Sequence, residues 1–263
     1  MTPLEKYYGK FKEDHRLTTR HGIVEFTVSM KYVHECIEMV RNGRGNGAVR
    51  LLDVGAGTGR YSVALSREGF DVTAVELVAH NLDILRSKHE KVKSWQGNAM
   101  NLHFLDDESF DVTLLFGPMY HLHTDDDKLA ALAEAKRVTK TGGFILVAYL
   151  MNEYAVLTYC FREGNIKKVL EKGSLTQDFH TITNDSDDLY SYTRTEDMSR
   201  LNAMAGLERE KIFAPDGAAD YLRRELNALD EESFARFIDY QMSICERADL
   251  LGASSHTVDI LRK

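Results

Sequence analysis

Between residues 48 and 150 the chain changes its hydrophobic period again and again. Short apolar runs of strand character alternate with stretches in which apolar side chains recur every three or four positions. Ala48–Val54 reads as the first strand, and Arg60–Glu68 as a helix stopped by Gly69. Phe70–Leu77 is a second β-rich run, followed by a helix over 80–89 and a third strand, Val92–Gly97. Asp111–Phe116 gives the fourth strand and Asp125–Thr139 a helix with "TGG" (141–143) as its stop, before "FILVAYL" supplies the fifth. Five strands with helices between them predict a doubly wound, parallel α/β sheet.

The flanks read differently. Residues 4–14 and 24–41 carry helical periodicity, the second with Val24, Val28, Tyr32, Cys36 and Met39 on one stripe, and "RNGRGNG" (41–47) breaks it. After the fifth strand the signals are mixed from 151 to 192. Then Thr195, Glu196 and Asp197 announce a helix ended by Gly206. "LEREKIF" (207–213) is a sixth strand, Phe234, Phe237, Ile238, Cys245 and Ala248 form a helical stripe, and "HTVDILR" (256–262) is a seventh strand. The resulting plan is one domain in four parts: a helical cap (1–47), a ligand-binding core (48–150), an insertion (151–206) and a closing segment (207–263).

Composition narrows the picture. Hydrophobic residues make up 43% of the chain, enough for a substantial core, while no long uncharged apolar run suggests a membrane span or signal peptide, so a cytoplasmic location is expected. Three widely spaced cysteines without a CxxC pair indicate neither a disulfide framework nor a zinc site and read as buried apolar residues. Net charge −8 disfavours a nucleic-acid partner. Residues 1–50 hold a local excess of three positive charges, with Tyr7, Tyr8 and Phe11 interleaved, which is read first as a solvated face.

The chemistry concentrates at "LLDVGAGTGRYSVAL" (51–65), where three glycines alternate between a strand and a helix. There Gly55 can take backbone angles closed to other residues, Gly57 lets a ligand approach, and Gly59 lets the following helix pack on the sheet. The spacing differs from the GxGxxG of dinucleotide binders, which points away from NAD. Glu76 at the end of the second strand adds an acid suited to two ribose hydroxyls.

With those residues in view, "LDVGAGTGRYSVAL", "VTAVEL", "WQGNAMNL", "FDVTLLFGPMYHL" and "EAKRVTKTGGFILVAY" resemble the successive motifs of the class I S-adenosylmethionine-dependent methyltransferases over residues 49–150. The resemblance implies a mostly parallel seven-stranded sheet of order 3-2-1-4-5-7-6, its last strand antiparallel and helices on both faces. It also implies S-adenosylmethionine as cofactor and S-adenosylhomocysteine as product. Asp53 and the turn Gly55, Ala56, Gly57, Thr58 and Gly59 would hold the methionine part, with Tyr61 behind them, and Glu76 the ribose. Leu77, Asn98, Ala99 and Met100 would meet the adenine, with Asn98 standing where Asp is usual and accepting through its amide oxygen. Phe116, Gly117, Pro118 and Tyr120 would floor the site near the sulfonium.

"GPMYHL" is not the Asn/Asp-Pro-Pro-aromatic sequence used on base amino groups, and no Pro-Cys nucleophile follows the fourth strand. A small-molecule acceptor methylated on N, O or S is therefore the expectation. An RNA methyltransferase, or a cofactor-binding protein without catalysis, is the alternative; an NAD-linked oxidoreductase ranks third. His121 is the first candidate base, with Tyr120 beside it, set against the competing reading of a packed histidine. Two histidines in "HLH" (121–123) without a third ligand give no metal site. Tyr8, Arg20 and His21 belong to a segment expected to close over the cofactor. Acceptor choice is expected from Tyr149–Tyr154 and from Phe179, His180, Tyr190 and Tyr192, in a monomer or homodimer.

Overall fold

Alternate residues of the central strands face two different cores. Leu51, Val112, Leu146 and Ala148 look into one, and Leu52, Val54, Ile145 and Val147 into the other. That two-sided burial is what turns continuous apolar runs into the middle of a sheet. The computed structural model describes residues 3–8, 13–44, 47–183 and 188–263. Phe11 and Gly45 therefore lie outside the described residues, as does part of the helix predicted over 4–14.

The strands are β1 (Arg50–Val54), β2 (Asp71–Glu76), β3 (Val92–Gln96), β4 (Phe110–Leu115), β5 (Thr139–Leu150), β6 (Glu208–Phe213) and β7 (His256–Arg262). They form one mixed sheet of order β3-β2-β1-β4-β5-β7-β6. Neighbours are parallel from β3 to β5, while β7 runs antiparallel to both β5 and β6. The sheet is thus not parallel throughout: seven strands are present, one of them reversed. Because β7 is reversed, its first residue, His256, stands beside Leu150 at the edge where the parallel strands end.

The N-terminal helices are α1 (Pro3–Tyr8), α2 (Glu13–Arg16) and α3 (Arg20–Arg44). The last starts earlier and ends later than its predicted 24–41. Its stripe buries Val24, Val28, Tyr32 and Cys36 as expected, but Val40 takes the buried place foreseen for Met39, which is 38% exposed. α4 (Arg60–Arg67) and α5 (Ala79–Ser87) follow β1 and β2, and α6 (Asp125–Val138) precedes β5. No helix joins β3 to β4. β5 begins five residues before Phe144, and "TGG" lies inside it, where a register shift against β4 and the positive φ of Gly142 (77°) accommodate it.

In the insertion, α7 (Asn152–Ala155), a π-helical stretch Val156–Arg162 and α8 (Ile166–Glu171) precede α9 (Thr195–Ala205), which Gly206 ends in the left-handed conformation. α10 (Arg223–Ala228) and α11 (Glu231–Ile244) complete the chain; Ala248 falls beyond the helix whose stripe it was assigned to. All three cysteines are buried and unpaired. Among the described residues no helix is long and apolar enough to cross a membrane.

Candidate functional site

The carboxyl ends of β1, β2 and β4 open onto a cavity of about 430 Å³. The glycine turn forms one wall. Gly55, Gly57 and Gly59 have φ of 76°, 56° and 86°, all left-handed. The amides of Gly55 and Ala56 both donate to the Val75 carbonyl, at 2.8 and 3.1 Å, which ties the turn to β2. At Gly59 a side chain would meet Leu85 Cδ1 at 2.2 Å. The third glycine thus makes room for α5, a neighbouring helix, rather than for packing of its own helix on the sheet.

Two acids face the cavity from strand ends. Asp53 is 2% exposed and accepts from Ser62 Oγ at 2.5 Å. Burial pushes its carboxyl up to about 6, against the Ser62 hydrogen bond and with help from the Glu76 charge. Among the described residues no cationic side chain pairs with it. Glu76 accepts from the Gly57 amide through Oε2 and from the Val78 amide through Oε1, each at 2.8 Å, so backbone donors fix both oxygens in place.

The opposite wall carries Asn98, whose Oδ1 accepts from the Met100 amide at 3.0 Å, with Gly97, Ala99 and Met100 around it. Leu77 stands at the rim, 42% exposed. The floor is Phe116, Gly117 and Pro118, with Tyr61 edge-on to Phe116 at 5.0 Å. Tyr120 is there too, but its hydroxyl donates to the Phe116 carbonyl at 2.8 Å and so serves its own turn. His121 closes the far side: Nδ1 lies 2.9 Å from the Leu189 carbonyl and Nε2 2.9 Å from the Tyr8 hydroxyl. Burial, with a smaller push from His123, lowers the imidazole to about 4.

Most of the predicted site residues therefore share one wall system: Tyr8, Asp53, Gly55, Ala56, Gly57, Thr58, Tyr61, Glu76, Leu77, Asn98, Ala99, Met100, Phe116, Gly117, Pro118, Tyr120 and His121 all line the cavity. Gly59 sits behind the turn. Arg20 does not reach it. Its guanidinium pairs with Glu231 at 2.5 Å and lies 4.6 Å over the Phe234 ring, so it joins α3 to α11. His21 likewise turns to Asp220, at 3.8 Å. The residues expected to choose the acceptor also stand back: Tyr149 is fully buried in the core, Phe179 is 43% exposed, and His180 pairs with Asp197. Tyr190 comes nearest, its ring 5.3 Å from that of His121.

Several cavity residues escaped the sequence reading, two of them with polar groups suited to a ligand. Arg16, the last residue of α2, lines the cavity while holding Glu25 at 2.8 Å. Asn81 is 2% exposed and its Oδ1 has no hydrogen-bond partner, an orphaned acceptor on the wall of the same cavity as Glu76. A polar residue in the apolar rhythm of Leu82 and Leu85 was the available signal.

The stretch 52–147, which supplies the glycine turn, both acids, Asn98 and His121, matches the family model of a methyltransferase domain. In that stretch the chain is similar to a methyltransferase domain. In sequence the chain is 36% identical over 99 residues to the demethylmenaquinone methyltransferase of Renibacterium salmoninarum; the match covers 38% of this chain and 40% of that one. Solved structures share the fold over more of the length. A SAM-dependent methyltransferase of Thermotoga maritima, possible histamine N-methyltransferase, has a TM-score of 0.55 at 22% identity, covering 99% of this chain and 98% of that. Geranyl diphosphate C-methyltransferase of Streptomyces coelicolor, solved with Mg²⁺, geranyl diphosphate and S-adenosyl-L-homocysteine, gives 0.51 at 16%, covering 88% and 79%.

The cavity's donor set fits the cofactor of such a domain on its own chemistry. A buried carboxylate paired with no described cationic side chain, and a buried amide oxygen without a hydrogen-bond partner, line the same cavity as Glu76, a set suited to a ligand that carries an ammonium and hydroxyls.

Proposed function

We propose that this chain transfers the methyl group of S-adenosylmethionine to a small-molecule acceptor by in-line displacement over the floor at Phe116, Gly117 and Pro118. The observation that carries this is the single cavity in which Asp53, the glycine turn, Glu76 and Asn98 converge. Bound S-adenosylmethionine supplies a methyl carbon activated by a sulfonium. The chain's task is then alignment, an effect worth up to about 7–11 kcal/mol. Asp53 holds the ammonium and Arg16, rather than Arg20, the carboxylate. Glu76 and Asn81 take the ribose hydroxyls, and Asn98 and the Ala99 amide read the adenine edge. Residues 1–47 act as cap, and 151–206 complete the acceptor side through the strip around Leu189 and Tyr190.

A small acceptor is supported by the named activity of the Renibacterium relative and by the surface of the N-terminal third. Several of its described cations are engaged by acids: Arg16 with Glu25, Arg20 with Glu231 and Arg41 with Glu38. These pairs reduce the basic field offered to an RNA backbone. Calorimetric titration with S-adenosylmethionine, S-adenosylhomocysteine and NAD tests the donor site. Both sulfur nucleosides should bind and NAD should not; binding of NAD alone would overturn the reading.

A further inference from the structure

His121 cannot meet an acceptor directly, because both ring nitrogens are engaged. The Leu189 carbonyl can only accept, so Nδ1 at 2.9 Å carries the proton. In neutral imidazole Nε2 then offers its lone pair, and the Tyr8 hydroxyl at 2.9 Å donates to it. Three separate segments meet in this chain of hydrogen bonds: α1, the turn after β4, and the strip 188–191, where Ser191 N donates to the Tyr120 carbonyl and Tyr190 bonds to Tyr7. The groups facing the imidazole are Tyr8, Tyr120, Tyr190 and, through its charge, His123. Of the hydrogen-bonded pair, Tyr8 brings to the cavity wall a phenolic oxygen, which carries two lone pairs, and donation to Nε2 makes that oxygen a better acceptor.

We propose that Tyr8 is the catalytic residue that takes the acceptor's proton, that His121 receives it through Tyr8, and that the acceptor is a hydroxyl compound. This rests on the methyl-transfer reading above. In the step, the acceptor oxygen bonds to the methyl carbon as the carbon–sulfur bond breaks, and that electron pair stays on sulfur. The O–H proton passes to the Tyr8 oxygen while the Tyr8 proton passes to Nε2. The positive charge lost at sulfur reappears on the imidazole, so the cavity keeps the same net charge throughout the step.

The acceptor class follows from the base. An amine attacks with a lone pair and can keep its proton on the ammonium it becomes, so it has no use for the Tyr8–His121 hydrogen-bond chain. A methylated hydroxyl is a far stronger acid than imidazolium and must lose its proton, so even this base suffices.

The test uses the full chain saturated with S-adenosylhomocysteine and ¹⁵N NMR of the imidazoles, with His121→Gln for assignment. His121 should be neutral and protonated at Nδ1 from about pH 5 to about pH 8, and Tyr8→Phe should move the Nε2 resonance. An Nε2–H tautomer, an imidazolium at neutral pH, or an unmoved resonance would overturn the relay. Phenol and aniline then serve as isosteric acceptors with S-adenosylmethionine. Phenol should be methylated on oxygen, about 100-fold or more slowly in Tyr8→Phe, with S-adenosylhomocysteine affinity kept within about twofold. Methylation of aniline indifferent to Tyr8→Phe, or an inert phenol while S-adenosylhomocysteine binds, defeats the proposal. Failure of the wild-type chain to bind S-adenosylhomocysteine defeats the donor site instead.

Discussion

Asp53 works against the fold and, under the proposed function, for the ligand. A carboxyl displaced from 3.8 to about 6 opposes folding, since its ionised form is disfavoured in the native state. With a raised folded value, its stabilising contribution is complete below pH 3.8 and is lost as pH rises through about 6, leaving a cost on the order of 3 kcal/mol at neutral pH. Asp53→Asn should therefore raise the melting temperature of the ligand-free protein while weakening S-adenosylmethionine about tenfold or more, through the lost ammonium contact. For the wild type, affinity should decline as pH falls below about 6; calorimetry across pH tests this, and a flat profile would place the ammonium elsewhere. Glu76 and Asp53 were both legible in the sequence as acids at strand ends. Asn81 was not, because its orphaned oxygen is defined by what packs around it.

At the scale of elements, the glycine turn is held by its neighbours as much as by its own backbone. Gly59 combines φ of 86° with Leu85 Cδ1 at the place a side chain would occupy. Gly59→Ala should cost about 1–3 kcal/mol of stability, read as a lowered urea midpoint at unchanged slope. An unchanged midpoint would mean α5 yields freely. The boundary between α6 and β5 makes the complementary point. A double glycine reads locally as a stop, yet pairing with β4 draws residues from Thr139 onward into the sheet. Arg16 ends α2 and Arg20 opens α3, and the docking of Arg20 on α11 turns it away from the cavity that Arg16 lines.

Across the whole molecule, the cap is fastened at a buried cluster from three distant stretches of chain: Glu25 of α3, Asp216 after β6, and His256 at the start of β7. His256 Nδ1 lies 2.7 Å from Asp216 Oδ2 and 4.0 Å from Glu25 Oε2; Ser254 Oγ donates to Asp216, and Arg16 pairs with Glu25. These carboxylates raise the His256 pKa against the opposing effect of burial and of Arg16. Because the folded value lies above 6.5, the stabilisation is fully present below pH 6.5 and is lost as pH rises through the folded pKa. Melting temperatures of the wild type should thus converge on those of His256→Gln as the medium becomes alkaline. A gap that stays constant would show that the ring contributes by packing alone.

The sequence by itself determined the order of strands and helices, the glycine turn and its two acids, because each depends on local periodicity or on one backbone requirement at one strand end. It also placed β7, whose apolar run and distance from β6 suffice. The tertiary structure alone decided which side chains share the cavity, why Arg20 and His21 do not, and that both nitrogens of His121 are engaged. Those facts depend on contacts between residues as far apart as Tyr8, His121 and Leu189, which no local pattern encodes.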